Sequence, residues 1–227
     1  MSKLIDLGHV ISDGMRAYPG LPPARVSQLL THEASRPHYE HRAEFSLTKL
    51  EIAGNTGTYL DSPWHRHADR FEISTIPIER VACLPGVVID SNPTAQGRDI
   101  DLEFAPEVVG GAAVLIRTGW SRHWGSERYW LEGPYISTGF IDRLVEARPA
   151  LIGVDFSNVD DPADPERPAH TRLLDAEILI VEHMCHLERL PVGDFTFHCA
   201  PLRVKGAASI PVRPYAVLAA ARGSGGP

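Results

Sequence analysis

Residues 150–182 read ALIGVDFSNVDDPADPERPAHTRLLDAEILIVE. The stretch holds two apolar runs, Ala150 to Ser157 and Glu177 to Glu182, each of strand length and rich in branched aliphatics. Between them lie a Pro- and Asp-rich loop and a short helical segment after Pro168 that turns Leu173 and Leu174 inward. Working outward, further strand-like segments recur at Lys3 to Ile11, Phe45 to Ile52, Pro85 to Asp90, Ala112 to Trp120 and Phe195 to Val204. Helical signals are fewer. The clearest starts at the N-cap pair Ser137-Thr138, puts Phe140, Ile141, Leu144 and Val145 on one face and stops before Pro149. Strands outnumber helices, so the expected fold is α/β in a single domain, with a strand-rich mixed sheet or barrel-like core and flanking helices. A regular doubly wound βαβ sheet is not expected. The 19 Pro and 19 Gly are spread through the chain without gathering into a linker, which gives one domain over residues 1–222 and a disordered tail over 223–227. Ser12 to Arg42 is weakly patterned and is expected to be irregular chain packed over something, an active-site cover.

The 227 residues carry 22 Lys+Arg against 29 Asp+Glu, a formal charge of −7 that leaves no fixed positive field for nucleic acid. Cys83, Cys185 and Cys199 form no C-x-x-C pair, and an odd count suits a reducing compartment. Any bound metal must therefore be held by imidazole and carboxylate, and eleven histidines supply candidates. The N-terminus reaches Asp6 before an apolar signal region could form, and the longest uncharged apolar stretch, Val108 to Ile116, is too short to span a bilayer. On these grounds the chain reads as soluble and cytoplasmic, with no membrane and no nucleic-acid partner.

Missing motifs narrow the chemistry. G-x-S-x-G, G-x-x-x-x-G-K-[ST], G-x-G-x-x-G and H-E-x-x-H do not occur. The densest polar constellation is N55-T-G-T-Y-L-D-S-P-W-H-R-H67. In extended chain Asn55, Tyr59, Asp61 and His65 share a face, and the chain must bend at Gly57 and Pro63 to bring them into one site. The plain alternative is a pair of turns with His65 and His67 solvated. The second constellation is Asp155, Ser157, His170 and Glu182. A glutamate closing the run ILIV costs energy in a core strand unless it is paired or bound to a metal, although it could also meet water at the strand's end. Asp61, His170 and Glu182 together offer two carboxylates and one imidazole, an open three-ligand set for a divalent ion. His183, His186 and His198 lie beside apolar runs and read as structural or interfacial.

The first constellation resembles the signature of the putative cyclase family, which includes bacterial kynurenine formamidases and isatin hydrolases and reads His-x-Gly-Thr-His-x-Asp-x-Pro-x-His. Gly57, Thr58, Asp61, Pro63 and His65 match. The opening IDLGHVISDGMRAYPG, VLIRTGW, VDFS, HTRLL, IVEHMCHLERL and the closing PLRVKGAASIPVRPYAVL resemble family segments as well. The resemblance implies a swivelling β/β/α type of fold, commonly homo-oligomeric, that hydrolyses amide or cyclic-amide bonds of small molecules with a metal. It assigns Asp61, His170 and Glu182 to the metal and His65 to general acid/base work. Asn55 and Tyr59 depart from the pattern, standing where two metal-binding histidines are usual. An amide oxygen is a weak ligand and a phenol binds well only when ionised. Three outcomes stay open: one ion, zinc or manganese, on Asp61, His170 and Glu182, which is preferred; a harder, oxygen-seeking ion; or no metal, with the chain acting as a small-molecule binder. In the one-ion case Tyr59 is free to donate to a developing oxyanion, and Asn55 and Trp64 are read as substrate contacts. His65, His67 and Glu72 also fit the H-x-H-x4-E spacing of a cupin iron or manganese site.

Overall fold

The computed structural model describes residues 3–16, 18–91 and 97–219; the tail expected over 223–227 lies outside them. Nine strands form one sheet: β1 (Lys3–Asp6), β4 (Tyr59–Asp61), β5 (Leu84–Asp90), β7 (Ala113–Arg117), β9 (Leu151–Val154), β10 (Leu179–Glu182), β11 (Phe195–His198), β12 (Ser209–Pro211) and β13 (Tyr215–Leu218). Their order is β1-β13-β11-β5-β7-β9-β10-β4-β12. The middle run β5-β7-β9-β10 is parallel and both wings are antiparallel. β9 and β10 are buried along their whole length, as expected for parallel strands covered on both faces. Period-2 alternation splits their side chains between two cores. Val114, Ile116, Ile152, Val154 and Ile180 pack against Phe140, Ile141 and Leu144 of α4 (Thr138–Ala147) and Leu173 and Leu174 of α5 (Pro168–Asp175). Leu115, Leu151, Leu179 and Val181 join Ile5 and Ile210, which come from strands at opposite ends of the order. Edge strands can share a core only if the sheet curls, so the second core fills the hollow of a half-barrel.

α4 has the cap expected of it: the Ser137 hydroxyl accepts the Phe140 amide at 2.9 Å, and Arg148 ends the helix in left-handed backbone at φ 54° just before Pro149. The extended run expected over Phe195 to Val204 stops at His198; Pro201 has no ladder donor, and Gly206 turns the chain at φ 78°. Part of the stretch expected to be irregular is regular. β2 (Arg25–Leu30) pairs with β3 (Leu47–Glu51) in a two-stranded ribbon. β3 falls inside the strand expected over Phe45 to Ile52, whereas β2 lies in the stretch expected to be irregular and is mostly exposed, so neither of its faces imposes the apolar-polar alternation by which a strand is recognised. Upstream, Ile11 and Met15 do pack over Gly57, whose φ of 65° makes the bend the sequence demanded. Two short strands, β6 (Asp99–Ile100) and β8 (Tyr135–Ile136), and three short helices, α1 (His32–Ser35), α2 (Pro106–Val109) and α3 (Glu127–Leu131), accompany these elements. No helix among the described residues is long and apolar enough to cross a membrane.

Asp155 fastens the ends of β7 and β9, accepting the Thr118 hydroxyl at 2.5 Å and the Gly119 amide at 2.7 Å. It is 1% exposed, and burial pushes its carboxyl up from 3.8 to about 6 against those hydrogen bonds. A raised carboxyl favours the protonated form in the fold, so the cost of ionisation is absent below the unfolded value, grows with rising pH and is complete above pH 6, at roughly 3 kcal/mol for two pKa units. In Asp155→Asn that slope disappears while a donor is left facing a donor. The stability gap between wild type and variant, measured by chemical denaturation, is expected to be widest at pH 4 and to narrow by up to about 3 kcal/mol by pH 8.

Candidate metal centre

Strand register assembles the first half of the site. β4 lies between β10 and β12, with Tyr59 opposite Glu182 and Asp61 opposite both Ile180 and Ser209. Tyr59 and Asp61, two apart, share a face, so each meets its cross-strand partner: the Tyr59 hydroxyl donates to Glu182 Oε2 and the Ser209 hydroxyl to Asp61 Oδ1. After Asp61 the chain leaves the sheet at Pro63 and turns once in a 3-10 helix over Pro63–His65. That turn brings His65 Nδ1 to 3.2 Å from Ser209 Oγ and 3.8 Å from Asp61 Oδ1. Because Ser209 spends its hydrogen on Asp61, its free lone pair faces Nδ1, which is therefore assigned as the donor. Nε2 is left bare.

The second half comes from α5, which opens at Pro168, a residue suited to the first helical position. His170 lies in its first turn, with Nε2 3.8 Å from Asp61 Oδ2 and 3.7 Å from Glu182 Oε1. Asp61 and Glu182 are both 0% exposed and His170 is 4% exposed. Burial raises the Asp61 carboxyl to about 6 despite the nearby His170, and it lowers the partly exposed His65, with help from His170, to about 4. His170 moves the other way: burial opposes its charge, but the Asp160 hydrogen bond and the Glu182 and Asp61 carboxylates hold it above 6.5. Burial, then Glu182 and Asp61, keep Tyr59 a neutral phenol, with the Asn55 amide the one neighbour favouring the phenolate.

These residues suit a divalent cation. Asp61 Oδ2 is buried without a hydrogen-bond partner among the described residues, and it faces the similarly directed His170 Nε2 at a distance too wide for a hydrogen bond. Two buried carboxylates beside one imidazole leave negative charge that the protein groups do not balance, and oxygen and nitrogen donors are those a divalent ion takes. Ligand atoms of Asp61, His65 and His170 also lie within 4.8 Å of one another, so His65 is geometrically a second candidate for the place given to Glu182.

The structure thus gathers Tyr59, Asp61, His65, His170 and Glu182 into one cluster. Asn55 lies half-buried on the turn before Gly57, and Trp64, next to His65 in the 3-10 turn, is 37% exposed. The cupin-like set is not assembled. His67 Nε2 faces the Thr171 carbonyl at 2.9 Å, and Glu72 binds the Ser74 hydroxyl and the Gly206 amide. Ser209 and Asp160 escaped the sequence reading. Ser209 sits in the bland segment GAASIP, 148 residues from the aspartate it touches, and Asp160 is one of several loop acids before Pro168. Only the sheet order and the helix start single them out.

The family model described as Putative cyclase matches residues 5–161. A kynurenine formamidase of Bacillus anthracis is 29% identical over 213 residues, 93% of this chain and 96% of that protein. Isatin hydrolase A from Labrenzia aggregata, solved with benzyl benzoate, superposes with a TM-score of 0.79 at 24% identity, covering 96% of this chain and 94% of the other. A structure described as a potential metal-dependent hydrolase with cyclase activity superposes with a TM-score of 0.74 at 20% identity, covering 97% and 100%.

Proposed function

The chain belongs to the putative cyclase family, and from that premise we propose that it is a metal-dependent hydrolase of amide or cyclic-amide bonds in small molecules, holding one ion, zinc or manganese, on Asp61, His170 and Glu182. The observation that carries the reading is the buried pair Asp61 and Glu182 facing His170 Nε2, with Asp61 Oδ2 unpartnered. The formamidase likeness over 93% of the chain supports the substrate class. His65 is kept outside the ligand set because its Nδ1 is turned to Ser209 and its ring is partly exposed, where a proton must come and go.

An ion so held supplies a lowered pKa for the attacking water and polarisation of the scissile carbonyl. The rest falls to the chain's own residues. His65, neutral at pH 7, takes the water's proton on Nε2 as the oxygen adds to the carbonyl carbon, and returns it to the nitrogen as the C–N bond breaks. Ser209 holds that ring through Nδ1 and ties it to Asp61. Tyr59, read from sequence as an oxyanion donor, has its hydroxyl on Glu182; we assign it to holding that carboxylate. Asn55 and Trp64 remain the proposed substrate contacts.

Gly54 provides a check at a distance from the chemistry. A Cβ there would stand 2.5 Å from the Ser209 carbonyl oxygen and 3.1 Å from its carbon, both backbone atoms that move only with β12. Gly54→Ala is expected to push Ser209 off Asp61 and His65 and to lower kcat/KM by about 10- to 100-fold, since displacement near 1 Å can cost that much.

The reading is tested by following absorbance of formylated anilines, lactams and lactones with protein saturated in zinc or manganese. Turnover that chelation removes and the ion restores is expected. A protein that holds stoichiometric ion yet cleaves no amide would overturn the substrate class. The metal-free binder draws on one observation: both Glu182 oxygens already accept protein donors, the Val159 amide at 2.8 Å and the Tyr59 hydroxyl. Elemental analysis after metal-replete growth decides, because that reading requires no ion. We further read the protein as cytoplasmic, on its three cysteines without a C-x-x-C pair, and as a homo-oligomer, on the ribbon's exposed Leu29, Leu47 and Leu50; light scattering that returned a monomer would remove the second part.

A further inference from the structure

Asp160 lies outside both candidate ligand sets, yet it is 1% exposed and grips the helix that carries His170. Its Oδ1 accepts the Ala169 amide at 2.5 Å; its Oδ2 accepts the His170 amide at 3.2 Å and stands 2.5 Å from His170 Nδ1. A carboxylate has no hydrogen to give, so Nδ1 carries the hydrogen in that contact. A neutral imidazole has one N–H, and fixing it on Nδ1 leaves Nε2 with a bare lone pair. Nε2 is the atom that faces Asp61 and Glu182. Asp160 is held in turn. Asn158 Oδ1 accepts both the Asp160 amide at 2.9 Å and Arg167 Nη2 at 2.8 Å, and Arg167 Nε lies 3.6 Å from Asp160 Oδ2.

From this arrangement we infer that Asp160 is a positioning residue that locks His170 in the Nδ1–H form and aims its Nε2 at the cation shared with Asp61 and Glu182, with Asn158 and Arg167 fixing Asp160. The inference deepens the metal-site reading and rests on it. A carboxylate that merely started α5 would need the two backbone amides alone. Contact with Nδ1 adds an orientation function of the kind carboxylates serve for metal-binding histidines.

Two measurements test it. In ion-free wild-type protein, nitrogen-15 NMR at a pH where imidazole is neutral is expected to show His170, assigned by comparison with His170→Asn, protonated on Nδ1. Asp160→Asn places an NH2 against a backbone or ring N–H whichever way its amide turns, so the variant is expected to bind zinc or manganese 10- to 100-fold more weakly by calorimetry. A wild-type hydrogen on Nε2, or a folded variant with unchanged affinity, overturns the inference. The wild-type spectrum decides on its own should the variant not fold. Wild-type protein that bound neither ion would fail at the metal-site reading itself, a result distinct from an effect confined to Asp160.

Discussion

Asp61→Asn is expected to lower kcat/KM by about 10³-fold or more, to strip the ion, and to leave the fold intact. An ion acting on water and carbonyl contributes several kcal/mol to the barrier, and about 4 kcal/mol is a thousandfold. Asp61 has the strongest claim among the ligands, because its Oδ2 is buried with no protein partner and 3.8 Å from His170 Nε2. Asn is its near-isostere. The amide oxygen can keep the Ser209 hydroxyl, and the NH2 group fills the place of Oδ2, so neither a cavity nor a broken ladder follows. What changes is charge and lone pair, the two properties a cation needs. Thermal unfolding should move by no more than a few degrees while elemental analysis finds the ion gone. A variant that kept both ion and turnover would show that Glu182 and His170 suffice, and the proposed site would have to be redrawn around them.

The sheet-forming part of the fold was legible because its central strands are buried on both faces. Such strands write themselves as aliphatic runs, and β9 and β10 lie inside the runs expected over Ala150 to Ser157 and Glu177 to Glu182, each shorter than its run. Of the ribbon, β3 was legible inside the run Phe45 to Ile52, whereas β2 was not, for the converse reason that none of its residues is fully buried. In the site, the sequence supplied the residue types and the two bends at Gly57 and Pro63. It could not supply the register. Tyr59 reaching Glu182 and Ser209 reaching Asp61 depend on β4 lying between β10 and β12, pairings over more than a hundred residues that no local pattern encodes. Tyr59, one of the two departures from the family pattern, has a structural consequence of its own. A phenol at position 59 is kept neutral by burial and by two carboxylates, so it serves Glu182 as a hydrogen-bond donor in a place where an imidazole would offer a lone pair. On the proposed reading, Tyr59 holds the glutamate opposite instead of adding a donor for the ion.

His65→Asn separates the two roles that geometry allows this side chain. As the acid/base it is expected to cost about 10²- to 10⁴-fold in kcat, with ion stoichiometry unchanged and KM little affected. As a third ligand beside Asp61 and His170, within the 4.8 Å cluster, its loss would weaken the ion together with the rate. Three features favour the first outcome. His65 stands on a one-turn helix and is partly exposed, whereas Asp61 and Glu182 are sealed. Its Nδ1 is engaged with Ser209, leaving a single nitrogen for chemistry. Burial, seconded by His170, holds its conjugate acid at about 4, so the ring is a base at neutral pH. Asn can still meet Ser209 through its side-chain amide but cannot move a proton, so rate and ion affinity part company only if the proton is His65's business. Parallel loss of both in calorimetry and kinetics would transfer His65 to the ligand set and leave Glu182 as the group that Tyr59 and the Val159 amide hold beside it.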